Sequence, residues 1–345
     1  MMKAMVLSQM ALLADEPNPL QWVERERPRP AEDELLIEVA ACGVCHTELD
    51  EIEGRLVPSR LPVIPGHEVI GRVAELGRQV SSFQVGDRVG VGWIHHSSGQ
   101  ADENLSPDFL ATGCDVDGGY AEYMTAPAAY AVPIPESLSD VQAAPLMCAG
   151  AIGYRALRLT GLRDGEPLGL MGFGGSAHLV LPTAKHLFPN SPVFVFTRDP
   201  SVQRFACELG ADWAGGVMES SPQPLRAIID TTPAWTPVVA SLEKLAPGGR
   251  LVINAIRKEE TDQHALLDLR YHRHMWMERE IKSVANLTHA DIAEFLPLAA
   301  TIPLRAEVRL FGLEQANEAL RDLRRGQIQG ANVLQIRPSL LSRTI

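Results

Sequence analysis

Long apolar runs are missing from this sequence. No stretch approaches the roughly 20 consecutive apolar residues that a membrane-spanning helix needs. The apolar opening around Met1-Met-Lys-Ala-Met-Val-Leu is broken by Ser8 and Gln9, so a first strand is a better reading than a leader. Basic clusters are missing too: 31 Lys and Arg face 43 Asp and Glu, for a net charge of −12. Nucleic-acid partners require concentrated cations to neutralise phosphate, which excludes that class. Glu24-Arg-Glu-Arg-Pro-Arg and Arg321-Asp-Leu-Arg-Arg mix signs or stay short and read as solvated faces. Cysteine is scarce and odd in number, five residues with two of them in Cys42-Gly-Val-Cys45. This excludes a disulfide framework and favours reduced thiols or metal ligands, hence a cytoplasmic location. Internal repeats and low-complexity segments are also lacking.

What is present is a globular composition, 46% hydrophobic and 21% charged, over 345 residues, more than one hydrophobic core usually supports. Three tracts succeed one another. Residues 1 to about 150 carry short Val/Ile-rich runs punctuated by Gly and Pro, such as Glu34-Leu-Leu-Ile-Glu-Val-Ala and Asp87-Arg-Val-Gly-Val-Gly, as in a β-rich domain. From about 150 to 290 apolar strands alternate with helical stretches: Leu168-Gly-Leu-Met, Val193-Phe-Val-Phe, Ala227-Ile-Ile-Asp and Arg250-Leu-Val-Ile-Asn. That alternation predicts an α/β, doubly wound parallel sheet. Beyond about 290, Glu314 to Leu323 reads as an amphipathic helix, Asn332-Val-Leu-Gln-Ile as a closing strand, and Pro338 onward as a frayed end.

Between the first of those apolar strands and the next helical run lies Gly172-Phe173-Gly174-Gly175-Ser176-Ala177. A GxGxxA hexamer alone is weak, and an ordinary Gly-rich turn is its plain alternative. Its position strengthens it: Gly172 allows the tight turn, Gly174 lets backbone approach a pyrophosphate, and Ala177 keeps the helix close to the strand. The helix N-terminus then offers N–H groups to phosphate. Pro182, inside that helix, is expected to kink it or end its first part. At the tip of the next strand an NAD enzyme would carry an acid for the ribose 2′-OH. Here Thr197 and Arg198 stand there, a hydroxyl and a guanidinium suited to a 2′-phosphate, which favours NADP over NAD. Asp199, one residue on, is the counterweight. The strand tips at Asp230-Thr231-Thr and Asn254-Ala255 fall at the carboxyl edge, where Thr231 and Ala255 are expected near the nicotinamide.

Three soft ligands sit far apart in the sequence: Cys45 in Cys-Gly-Val-Cys-His-Thr-Glu, His67 in Gly-His-Glu, and Cys148 in Ala-Pro-Leu-Met-Cys. Singly, Cys148 would be core, His67 a loop histidine and the CxxC a small redox or structural pair. Jointly, two thiolates and an imidazole make an open tetrahedral zinc site with a vacant position for water or substrate oxygen. Together with Gly86-Asp-Arg-Val, Asp117-Gly-Gly-Tyr-Ala-Glu-Tyr and Leu245-Ala-Pro-Gly-Gly-Arg, these contexts make nearly the whole chain resemble the zinc-dependent medium-chain alcohol dehydrogenase family.

The resemblance implies a GroES-like catalytic domain over 1–150 and 290–345, and a Rossmann coenzyme domain over 151–289 whose closure on the cofactor excludes water. It implies Cys45, His67 and Cys148 as ligands of one catalytic zinc, and Cys42 as a packed hydrophobe. Glu68 would sit behind the metal or join it as a fourth ligand, and Glu48 would orient the His67 ring. Thr47 would relay the alcohol proton, Trp93 would line the substrate pocket, and relatives suggest a homodimer or homotetramer. The implied activity is that of an oxidoreductase passing a hydride between an alcohol or aldehyde and a nicotinamide cofactor. A zinc-free quinone or enoyl reductase of the same superfamily and a non-catalytic member retaining the fold are the alternatives.

Departures from the family pattern are visible. Glu48 replaces the commoner Asp, Asp50 stands where relatives often have a proton-passing histidine, and Asn332 where they often offer Arg to the pyrophosphate. That contact passes to His46. The structural-zinc lobe has lost every cysteine: the segment reads His95-His-Ser-Ser-Gly-Gln-Ala-Asp-Glu-Asn-Leu-Ser106. His95, His96, Asp102 and Glu103 remain as conceivable ligands, but without sulfur a solvated polar loop is expected. Cys114, beyond it, is a lone thiol.

Overall fold

The computed structural model describes residues 1–302, 304, 306–326 and 330–337. The fraying expected from Pro338 onward lies outside the described residues. Two compact units form: one from Met1–Ala149, Thr288–Ala300 and the described residues from 306 on, the other from Gly150–Leu287 with the described residues of 301–304.

In the first unit, an antiparallel hairpin pairs Met2–Leu7 with Leu20–Arg25. A seven-stranded sheet runs in the order Val308–Gly312, Ala331–Gln335, Glu34–Val44, Val69–Leu76, Arg88–Val91, Ala131–Pro133, with Tyr123–Pro127 also on Glu34–Val44. The long strand Glu34–Val44 sends Leu35, Ile37 and Val39 into one core with Val69, Val73, Met124 and Leu334. Because it carries that core, its C-terminal end is a fixed base for the short helix His46–Ile52.

In the second unit six strands are all parallel, in the order Trp213–Gly215, Val193–Phe196, Leu168–Met171, Leu225–Asp230, Leu245–Ile253, Glu280–Ser283. Numbered along the chain this is 3-2-1-4-5-6, the Rossmann order, with its switch point between Leu168–Met171 and Leu225–Asp230. The inner strands Val193–Phe196, Leu168–Met171 and Leu225–Asp230 read as apolar runs because both faces are covered, whereas the edge strand Glu280–Ser283 is exposed. Leu168, Leu170, Val193 and Val195 enter one core while Met171, Phe194, Phe196 and Ile228 enter the opposite one. The helix Ala177–Leu187 packs on the first face, and Pro182 does not end it. Proline removes the bond to the carbonyl of residue 178, but buried Leu179, Val180 and Leu181 hold the helix by packing.

Candidate active site

The metal-type cluster is built from turns that leave the first unit's sheet. Cys45 is the N-cap of His46–Ile52, and Glu48 reaches back so that its Oε2 accepts from the Cys45 N–H at 2.8 Å. The other oxygen of Glu48 meets His67 Nδ1 at 2.5 Å. One carboxylate therefore sets both the Cys45 backbone and the His67 ring, and leaves His67 Nε2 facing the opposite way. His67 comes after Gly66, whose φ of +104° and the Tyr120 ring, 2.4 Å from where a Cβ would stand, demand glycine. Cys148 ends the short 3₁₀ turn Ala144–Met147. The donor atoms of Cys45, His67, Glu68 and Cys148 all lie within 4.8 Å of one another. A tetrahedral zinc places its ligand atoms roughly 3.5 Å apart, so the cluster needs only a small contraction.

The electrostatics fit a cation. His67 Nε2 is buried with no hydrogen-bond partner. Glu48, Glu51 and Glu68 are buried beside it, and no Lys or Arg forms an ion pair with any of them among the described residues. The Cys45 thiol is held well below its ordinary pKa, first by the hydrogen bond from Cys148 and then by His67, whereas Cys148, the donor, is pushed well up. Cys45 is thus biased toward thiolate, the form that binds metal. Burial opposes charge on the His67 ring, yet Glu48 and Cys45 raise its pKa well above the imidazole range. Burial, then Cys45, pushes Glu68 up. This concentration of thiol, carboxyl and imidazole donors around a ring nitrogen suits a divalent ion with soft preferences.

The surrounding residues take distinct positions. Thr47 is buried with its hydroxyl 3.6 Å from Cys45 Sγ, and His46 beside it is exposed. Trp93 tilts against His67 with ring centroids 6.1 Å apart and meets Phe109 edge-on at 5.4 Å. Cys42 is fully buried in the core. Asp50 accepts from Arg55 Nε at 2.6 Å, so its carboxylate is committed to an ion pair. Asn332 is buried and donates to Ala319 O at 2.9 Å, a bond within the protein. Sequence reasoning misses Glu51: it is 1% exposed, neither of its oxygens has a geometric hydrogen-bond partner, and its carboxyl is pushed well up by burial and Glu48, with the Cys114 thiol as its neighbour. The acid-rich run Glu48-Leu-Asp-Glu is the only signal for it.

The segment around 95–106 is exposed over His96 and 98–102, as a solvated loop should be, but Ser97 and Glu103 depart from that expectation. Glu103 is 4% exposed: Oε2 accepts from Ser97 Oγ at 2.9 Å and Oε1 from the His289 N–H at 2.6 Å. Ser97 also meets the Tyr130 hydroxyl at 2.8 Å, and the Tyr130 ring stands edge-on to His289. Among the described residues, His95, His96, Asp102 and Glu103 do not gather into a metal-type cluster. The segment is closed by a carboxylate that needs no ion.

In the second unit, Gly172 has φ +83°, and a Cβ there would stand 2.9 Å from Thr231 Oγ1 and Thr232 Cγ2. A Cβ on Gly174 would meet nothing within 4 Å, so the space at its backbone is open, as a phosphate cradle requires. The helix Ala177–Leu187 starts at Ser176 with no side-chain cap. Phe173 buries its ring against Phe205, so only its backbone remains for a ligand. Asp199 Oδ1 accepts from both the N–H and the hydroxyl of Ser201 at 2.7 Å, as N-cap of Pro200–Glu208. Arg198 is exposed, with no ion pair among the described residues. Thr197 O accepts from Gln203 Nε2 at 2.8 Å, and Thr231 Oγ1 donates to Met171 O at 3.2 Å. Asn254 Nδ2 approaches Ser176 Oγ at 3.4 Å, and Ala255 after it is half-buried.

A Rossmann unit and a β-rich unit bearing a thiolate–imidazole cluster are the marks of a two-domain, dinucleotide-dependent dehydrogenase. The alcohol dehydrogenase GroES-like domain matches residues 31–136. A probable alcohol dehydrogenase, AdhA, of Mycobacterium tuberculosis is 43% identical over 92% of this chain and 93% of its own length. An alcohol dehydrogenase of Geobacillus stearothermophilus is 34% identical over 92% and 96%. The crystal structure of a thermostable alcohol dehydrogenase from Pyrobaculum aerophilum superposes with a TM-score of 0.84 at 25% identity, over 97% of this chain and 99% of that one. The chain belongs to the zinc-dependent medium-chain alcohol dehydrogenase family. No helix among the described residues is long and apolar enough to cross a membrane.

Proposed function

We propose that this chain is an NAD(P)-dependent alcohol dehydrogenase, interconverting a small alcohol and its aldehyde or ketone, with one catalytic zinc and a preference for NADP. Cys45, His67 and Cys148 would hold the zinc, with Glu68 beside them as a further candidate donor. The metal, when bound, supplies Lewis acidity toward an alcohol or carbonyl oxygen. Glu48 fixes the His67 tautomer so that Nε2 carries the free electron pair. Thr47, its hydroxyl beside Cys45, would accept the proton that the alcohol gives up, and Trp93 would provide an apolar wall for the substrate carbon. Gly172 to Ala177 would receive the pyrophosphate, Thr197 and Arg198 the 2′-phosphate, Thr231 and Ala255 would border the nicotinamide, and His46 is a candidate for a further phosphate contact. The enzyme works in the cytoplasm as a homodimer or homotetramer.

The observation that carries this reading is the convergence of three donors from residues 45, 67 and 148 on one point. Metal analysis of the purified enzyme tests it, with about one zinc per chain expected. Cys45→Ala and His67→Ala should each lose that zinc and lower alcohol oxidation by about a thousand-fold or more, with the far-UV circular dichroism unchanged. An active, zinc-free preparation overturns the reading.

A further inference from the structure

Asp230 ends its strand with a side chain 0% exposed, and its salt-bridge partner is Lys258, 8% exposed. Asp230 Oδ1 accepts from Thr232 N at 3.0 Å and Thr232 Oγ1 at 2.7 Å, while Oδ2 takes Lys258. Lys258 Nζ donates further to the carbonyls of Thr232 at 2.7 Å and Ala234 at 3.1 Å. Every proton of the ammonium is thereby matched by an acceptor.

This pair lies where three segments meet. The Asn254 N–H donates to Asp230 O and the Glu259 N–H to Pro233 O, both at 2.7 Å. Thr231 is bonded through N–H and hydroxyl to Met171 O, and its hydroxyl sits over Gly172. Asn254 reaches Ser176. The glycine turn, the 231–234 turn and the 254–259 segment are thus laced together at the carboxyl edge of the sheet, beside the switch point. The 2′-phosphate end of a dinucleotide belongs at the tip of Val193–Phe196, on one side of that point. The other half therefore extends over the strands Leu225–Asp230 and Leu245–Ile253.

Buried ion pairs add little net stability, since desolvation offsets their attraction, and apolar replacements are often neutral. Their effect is geometric: two opposite charges, each also hydrogen-bonded to the neighbouring backbone, admit one arrangement of these turns. We infer that Asp230 and Lys258 are positioning residues for the nicotinamide half of the cofactor, holding the 231–234 and 254–259 turns at the separation that receives it. This rests on Gly172–Ala177 binding a nicotinamide dinucleotide.

The test measures dissociation constants of NADPH, NADH and adenosine 5′-monophosphate by fluorescence titration of the zinc-loaded enzyme, together with melting temperatures. Lys258→Met and Asp230→Asn should each weaken both dinucleotides about ten-fold or more. The double variant Asp230→Asn with Lys258→Met leaves no uncompensated charge. It should melt near the wild type yet still bind dinucleotides about ten-fold more weakly, with affinity for the monophosphate retained. Lys258→Arg should recover part of the loss. Dinucleotide binding at wild-type strength in the double variant, or equal weakening of dinucleotide and monophosphate, overturns the inference while leaving the cofactor reading intact. A wild type that binds neither dinucleotide overturns both.

Discussion

The cluster around Cys45 and the contacts of Glu103 both gather polar side chains within the same unit, yet they are finished differently. At Glu103 every group closes on another: one oxygen takes the Ser97 hydroxyl, the other the His289 N–H, and Ser97 also meets Tyr130. At Cys45 the groups are aligned but not closed. Glu48 holds the back of His67, and Nε2 is left bare among sulfurs and a carboxylate. Buried polar atoms in native proteins are nearly always paired. A self-satisfied group therefore serves the fold, and an open group with oriented donors receives something from outside.

The largest effect that can break the comparison is at the open cluster, through the loss of zinc and turnover in Cys45→Ala or His67→Ala. Glu103→Ala should leave both untouched. Glu48→Gln, which keeps the shape but removes the charge behind His67, should weaken zinc about 10- to 100-fold. Competition with a chromophoric chelator measures it, and an unchanged affinity would mean that the ring is oriented by packing alone. Glu103→Ala strips acceptors from Ser97 and His289 and should cost about 2 kcal/mol of stability. Thermal melts read this, and if zinc content fell in step the two regions would not be independent. The smallest effect lies in the second unit: Arg198→Ala should raise the KM for NADPH about ten-fold while NADH changes little. Equal changes would remove Arg198 from cofactor choice.

Much of the molecule is legible in its sequence because the signals are local. Cys45, His67 and Cys148 each sit in a short recognisable run, and the second unit's inner strands announce themselves as apolar runs because both faces are covered. The illegible part depends on partners distant in sequence. Glu103 reads as a solvated loop acid because its partner His289 lies 186 residues away. Lys258, in Arg-Lys-Glu-Glu, has the pattern of an exposed charge run, and only the fold brings it onto Asp230. Motif positions also say nothing of side-chain direction. Phe173 belongs to the glycine turn yet turns its ring into the core, and Asp199 caps the helix Pro200–Glu208 through Oδ1. Glu51 stands in an acid-rich run that suggests solvent, and its burial comes from the face that His46–Ile52 presents to the core.

Gly43 carries a consequence for Glu68. A methyl group on Gly43 would fall 1.6 Å from Glu68 Oε2 and 2.8 Å from its Cβ. The carboxylate beside the thiols therefore occupies the volume that any other residue at 43 would fill. How far that carboxylate can retreat is decided on the neighbouring strand, by a missing carbon. Even alanine there would evict Glu68 from its seat and leave the neighbourhood of Cys45 and Cys148 as the adjoining space to enter.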